Sequence, residues 1–278
     1  MDRILFQFGP LTIYTFGFAI AVGTLTAYLL AIREAKRNAL DEEKLSTLIL
    51  VILLAGVLGA RIFFVLFYQP AYYWHNPADI FKLYEGGLSI HGGILGALLA
   101  GLWYTKKVKL PFWKTADLIA PAAVLGQGIA RVGCDVYGKV MSGIWPWGIE
   151  VNGLVVHPVQ IYEALLDLAL FVFLWGQRSR QKYTGQIFVY YLGGYALIRL
   201  MLEFFRTNPT IIGDVTPAHL TSLAFIVVSY ALNSWLGKRN PGEIIAGTPS
   251  STWVAPLVWG QVIILALVNV MIFYALAS

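Results

Sequence analysis

Eight runs of about 20 mostly apolar residues recur along this chain of 278 residues, at 11–32, 46–68, 88–104, 113–131, 157–176, 185–206, 217–236 and 253–276. A helix of that length, rising ~1.5 Å per residue, matches the ~30 Å hydrocarbon thickness of a bilayer. Backbone N–H and C=O groups find no water there, so each run must satisfy its own hydrogen bonds, and the helix does this within one segment. Composition agrees. Charged residues make up 13% of the chain, against roughly 25% in a soluble domain. The expected fold class is an all-α polytopic membrane protein of about eight transmembrane helices.

The loops orient the spans. Arg33, Lys36, Arg37 and Lys44 lie in loop 33–45, and Lys106, Lys107, Lys109 and Lys114 in loop 105–114. Arg178, Arg180 and Lys182 follow in 177–184, and Lys238 and Arg239 in 237–252. Every second connection is basic, which places those connections inside and both termini outside. The net charge of +5 is thereby read as topology, and no nucleic-acid partner is expected. The first apolar run is read as a retained helix, since no short apolar segment with a small-residue cleavage site precedes it. Cys134 is the single cysteine, which excludes an intramolecular disulfide and a cysteine-based metal site. The domain reading is a membrane domain over 1–236, a Gly/Pro/Ser-rich linker at 237–252 and an additional helix at 253–278, whose strongly polar side chains are Gln261 and Asn269. That last helix reads as an appendage outside the chemistry.

Against this apolar background, Gly185–Arg206 is exceptional. On a helix Tyr195, Arg199, Glu203 and Arg206 fall at roughly 0°, 40°, 80° and 20°. One narrow face therefore carries a phenol, two guanidiniums and a carboxylate, and Glu203 can pair with Arg199 at i−4 and Arg206 at i+3. Charges within a span cost about 2.5–3.5 kcal/mol each on insertion scales. One reading is a structural pair with Arg206 reaching for the interface. The other is an anion-binding wall facing a cavity. Arg61, deep in the second span, needs a partner and is either structural or part of a site. His91 stands among glycines in GGLSIHGGILGALLAG (86–101), a pattern suited either to close backbone approach and unwound geometry near a cavity or to helix packing. Tyr14 reads as an interfacial anchor or a site residue. Asp117 lies one turn into the fourth span, Pro121 is a candidate kink, and Arg131 ends that span. Residues 69–87, with His75, and the loop 132–156, with Trp145 and Trp147, read as interfacial segments. His157, Gln160 and Glu163 make the start of the fifth span polar, and a metal site there would want more ligands of one kind.

Four stretches in order, GGLSIHGGILGALLAG (86–101), ADLIAPAAVLGQGIARVGC (116–134), HPVQIYEALLD (157–167) and GYALIRLMLEFFR (194–206), with YTFGFAI and GARIFFVLFY before them, resemble the phosphatidylglycerol–prolipoprotein diacylglyceryl transferase family over about residues 5–236. The resemblance implies transfer of the diacylglyceryl group of phosphatidylglycerol to the thiol of the lipobox cysteine of a preprolipoprotein, with glycerol phosphate leaving. It implies a multi-pass protein of the prokaryotic plasma (inner) membrane, working with membrane lipid and lipobox signal peptides and without cofactor or metal. It assigns catalytic roles to His91, Tyr195 and Arg199, and phospholipid-headgroup binding to Arg131, Glu203, Arg206 and Tyr14. The substrate thiol, with an ordinary pKa near 8.5, would gain from a base such as His91; Tyr195 could instead relay the proton. Arginines would stabilise the departing phosphate. Three positions depart from the family pattern: Cys134 stands where asparagine is usual, Lys139 where glutamate is usual, and His219 in place of a glutamine. The eighth span is extra to the family's seven. A non-catalytic relative that binds anionic phospholipid, and a membrane transporter, are the competing classes; a transporter would be expected to show internal repeats, and none is evident.

Overall fold

A computed structural model describes residues 4–8, 11–83, 86–143, 145–239 and 256–277. Among them are eight helices of 18 residues or more, each overlapping one expected span: α1 (Thr15–Arg37), α2 (Glu42–Phe67), α4 (Ile90–Lys107), α5 (Phe112–Ala130), α6 (Val159–Gln177), α7 (Gln186–Glu203), α8 (Pro217–Arg239) and α9 (Pro256–Ala277). The short helix α3 (Pro70–His75) follows α2. Five of these segments, α1, α2, α6 with its 3-10 extension to Arg180, α8 and Trp259–Leu276 within α9, are long and apolar enough to cross a membrane. The others are less apolar, because α4 is glycine-rich and carries His91, α5 carries Asp117, and α7 carries Arg199 and Glu203. The protein is an all-α polytopic membrane protein with two small hairpins added.

Those hairpins shift some boundaries. Strands β1 (Ile4–Phe8) and β2 (Leu11–Tyr14) pair antiparallel, so the first helix begins at Thr15, not at residue 11. It continues to Arg37 and absorbs basic residues expected in the loop. Strands β3 (Ile149–Val151) and β4 (Leu154–Val156) form the second hairpin. Its turn is Asn152–Gly153, both at positive φ (53° and 79°), the dipeptide that suits a two-residue hairpin turn. The expected linker begins inside α8, which runs to Arg239; residues 240–252 lie outside the described residues.

The chain forms two compact units, one of residues 1–38 and 116–278, the other of 39–115. In the second, α2 and α4 lie against each other through glycines. A Cβ at Gly59, Gly92 or Gly96 would run into the facing helix backbone or, at Gly92, also the Phe63 side chain. The glycine cluster around His91 therefore serves close packing, as small residues do between membrane helices, and α4 is helical from Ile90 onward rather than unwound there.

In the first unit α6 is mostly buried, whereas the other four apolar spans bury under a fifth of theirs. Its Leu168, Phe171, Val172 and Leu174 pack with Ala120, Val124 and Leu125 of α5 and Ile187, Ile198 and Leu202 of α7. Pro121 is accommodated within a continuous α5. At one end of α6, Glu34 of α1 is buried and pairs with Arg178 and, at 3.1 Å, with Arg37. Asp117 caps α7: its carboxylate accepts from the backbone N–H of Gly185 (2.5 Å) and Phe188 (2.9 Å) and from Gln181 Nε2 (2.5 Å). Gly185 takes φ +100° at this N-cap, a conformation costly for other residues. Nearby, burial raises the Tyr183 phenol to about 12, so it stays protonated and donates to Asn233. Asp117→Ala should lower the unfolding free energy in detergent by about 2–3 kcal/mol, because it removes a cap and leaves buried donors unpaired; a thermal melt within a degree of the parent would refute this.

Candidate active site

Three elements of the first unit converge on one carboxylate. Glu163 projects from the first turns of α6 and is completely buried. Arg131 follows directly on α5, in the 3-10 turn Arg131–Gly133, and its Nη2 lies 2.8 Å from Glu163 Oε1. From α7, Tyr195 donates its hydroxyl to the same Oε1 at 3.2 Å and accepts from Arg131 Nη2 at 3.4 Å. Glu163 Oε2 meets Arg206 Nη1 at 3.4 Å and Arg199 Nη1 at 3.7 Å. Arg199 Nη2 also reaches Glu203 Oε2 at 3.3 Å, the i,i+4 pair expected from the sequence.

The carboxylates are held from behind. Glu203 Oε1 accepts from Asn208 Nδ2 and from Thr216 Oγ1, each at 2.7 Å. Thr216 in turn donates its backbone N–H to His219 Nδ1 at 3.1 Å, so His219 braces the residue that braces Glu203. Tyr191 stacks on Tyr195 with ring centroids 6.2 Å apart and donates to Gln127 at 3.2 Å. The segment 138–140 is laced to the end of α7 and the start of α6: Lys139 N donates to Phe205 O at 2.7 Å, and Gly138 N to His157 O at 2.8 Å. His157 thus orients the loop, with its ring 3.3 Å from the Tyr162 hydroxyl.

Charge decides what such a cluster can do. Three guanidiniums face two carboxylates, Glu163 and Glu203, which leaves an excess of one positive charge among these five groups. Both carboxylates are sealed, at 0% side-chain exposure, while Arg131, Arg199 and Arg206 keep 26%, 20% and 11%. The exposed edges are donors without acceptor character, in the fork geometry that suits phosphate.

Matches to known proteins fit this chemistry. The model of the family described as prolipoprotein diacylglyceryl transferase matches residues 3–235. A protein of Clostridioides difficile named phosphatidylglycerol–prolipoprotein diacylglyceryl transferase is 35% identical over 246 residues, covering 88% of this chain and 99% of its own length. Proteins of the same name from Bacillus mycoides and a Bacillus cereus strain are each 32% identical over 243 residues, covering 82% of this chain and 90% of their own. The chain belongs to the prolipoprotein diacylglyceryl transferase family. The family match ends before α9 begins.

Of the seven residues that the sequence singles out, Arg131, Tyr195, Arg199, Glu203 and Arg206 gather in this cluster. Tyr14 ends β2 at the N-cap of α1 and is exposed. His91, in the second unit, is an exposed residue in the first turn of α4, its ring 6.3 Å from that of Phe63. The hub itself, Glu163, was not among the expected site residues. Arg61 finds unexpected partners, since its guanidinium donates to backbone carbonyls rather than to an acid. Of the positions where this transferase departs from its family, Cys134 is buried and lines a small pocket with Thr15, Tyr137 and Phe273. Lys139 is exposed and enters the site through its backbone. Helix α9 is better integrated than an appendage: Phe273 packs with Val132 and Ile161, and Tyr274 donates to Trp147 O at 2.6 Å.

Proposed function

We propose that this chain moves the diacylglyceryl group of phosphatidylglycerol onto the lipobox cysteine thiol of preprolipoproteins, in the prokaryotic plasma membrane, with both termini and the loops 69–87 and 132–156 on the outer side. The observation that carries the reading is the partly exposed arginine trio around fully buried Glu163, within a chain of this family.

In the reaction the thiol gives up its proton, and a sulfur lone pair forms a C–S bond to the glycerol CH2 carbon of the diacylglyceryl group. The C–O bond to phosphate breaks with its electron pair on the oxygen, and glycerol phosphate departs. Negative charge grows on the phosphate oxygens during this step. Arg131 and Arg199 are assigned to bind and stabilise it, as preorganised donors in a water-poor site do. Arg206 recruits the anionic headgroup, and Glu163 and Glu203 hold the guanidiniums in place. Tyr195, engaged with Glu163 and Arg131, fixes the geometry between them. The thiol proton is assigned to His91, on the family resemblance. No step calls for a cofactor.

The test is transfer from labelled phosphatidylglycerol to a lipobox peptide by purified protein in lipid. The parent should give a thioether product. Arg199→Ala should lose about 10²–10³-fold in rate, the scale of removing one preorganised donor, with folding retained. His91→Gln should lose at least about 10²-fold, the usual contribution of a general base. Absence of product from folded parent protein would overturn the transferase reading, and near-normal transfer by His91→Gln would remove His91 as base.

A further inference from the structure

Gln160 is a residue for which the cluster as described has no use. It lies one turn before Glu163 on α6, and Gln160, Glu163 and Asp167 fall within roughly 60° of one another around that helix. Gln160 is 2% exposed, and neither its Oε1 nor its Nε2 has a hydrogen-bond partner among the described residues. Arg206 pairs through Nη1 with Glu163, one turn along α6 from Gln160, and its buried Nε likewise has no hydrogen-bond partner among the described residues. A buried amide with both ends unsatisfied opposes folding, because each group has left water without replacement. A methionine of similar length would fill the same space without that penalty. An amide is one donor set and one acceptor on adjacent atoms, which is what a hydroxyl requires, whereas the arginines around it supply donors only.

We infer that Gln160 reads the alcohol part of the phospholipid headgroup, accepting from and donating to its hydroxyls while the arginines hold the phosphate. This rests on the transferase reading and adds to it a determinant of donor specificity: phosphodiesters with a polyol headgroup are taken in preference to equally charged ones without hydroxyls. A site built to pair with a hydroxyl rejects the analogue lacking it, because its own polar atoms are then left unpaired.

Two donors of equal charge separate the cases, phosphatidylglycerol and phosphatidylpropanol. The readouts are kcat/KM for thioether formation on a lipobox peptide and the thermal unfolding of the same protein in detergent. The parent should prefer phosphatidylglycerol by about tenfold or more. Gln160→Met should melt no lower than the parent and bring the preference below about threefold, chiefly by slowing phosphatidylglycerol. Gln160→Asn, which keeps the amide but withdraws it by one methylene, should fall between the two and guards against a folding defect in the first variant. A parent indifferent to the hydroxyls, or variants that keep the parent's preference, would overturn the inference while leaving the transferase reading intact. No thioether from the parent with either donor would overturn that reading and this one with it.

Discussion

Glu163→Gln should reduce transfer by about two to three orders of magnitude and lower the unfolding free energy by about 3–5 kcal/mol, the usual consequence of removing one partner from a buried ion pair. The substitution keeps the volume and changes the charge. In the parent, Oε1 serves Arg131 and Tyr195 while Oε2 serves Arg206 and Arg199. An amide has one oxygen for these donors, and its nitrogen would point a further donor at a guanidinium. Among the described residues, Glu203 would then be the one carboxylate still ion-paired with any of the three guanidiniums, in surroundings that screen poorly. The guanidiniums would separate, and the exposed edges assigned to phosphate binding would lose their spacing. Adding Arg206→Met to Glu163→Gln should restore part of the thermal stability, because it removes one of the stranded charges; a double-mutant cycle reads this as a coupling. Strict additivity of the two changes, or a Glu163→Gln protein with near-parent transfer, would show that Glu163 is not the hub.

How much of this could be read from the sequence follows from where each partner lies. The Arg199–Glu203 pair was legible because both members sit on one helix at i,i+4. Glu163 was harder, since its partners are Arg131, well before it in the chain, and, beyond a loop, Tyr195 and Arg199 of α7 and Arg206 just after that helix. The signal was nevertheless present. Within α6 the neighbours of Glu163 at i−3 and i+4 are Gln160 and Asp167, so a carboxylate buried in an apolar helix had no cation of its own and needed one from elsewhere. The glycines around His91 were legible as a device for close approach but not as to what approaches, which is the backbone of α2. The turn at Asn152–Gly153 carried a plain hairpin signal inside a loop that otherwise read as merely interfacial. Carbonyl partners, by contrast, leave no mark in the sequence at all, because every residue has one.

Arg61 is held by such carbonyls. Arg61 is 4% exposed, and in the second unit its guanidinium donates to Ile80 O at 2.9 Å, Asp79 O at 2.6 Å, Lys82 O at 3.3 Å, Gly86 O at 2.7 Å and Gly87 O at 2.9 Å. Its flat face lies 5.1 Å from the Tyr73 ring centre. The loop after α3 is therefore wound around one side chain, and Gly87, at φ +72°, lets the backbone pass where a Cβ would press on Arg61 Nη1 and the Phe64 ring. The loop has a surface brace as well, Asp79 with Lys82 at 2.7 Å and Tyr72 at 2.6 Å. Lys82 and Tyr72 hold the Asp79 carboxyl below its usual value, so that brace is present at neutral pH and fails only as pH falls through the lowered value. It is exposed and cannot replace the buried clamp. Arg61→Leu should thus lower the unfolding free energy by about 3–5 kcal/mol and open residues 76–83 to protease. Arg61→Lys should recover little, since an ammonium cannot serve carbonyls spread around a planar fork. The contrast with Arg199→Ala is diagnostic: that change should cost turnover with the fold retained, whereas Arg61→Leu should cost the loop first and turnover only through it. An Arg61→Leu protein as stable and protease-resistant as the parent but devoid of transfer would instead make Arg61 a residue of the chemistry.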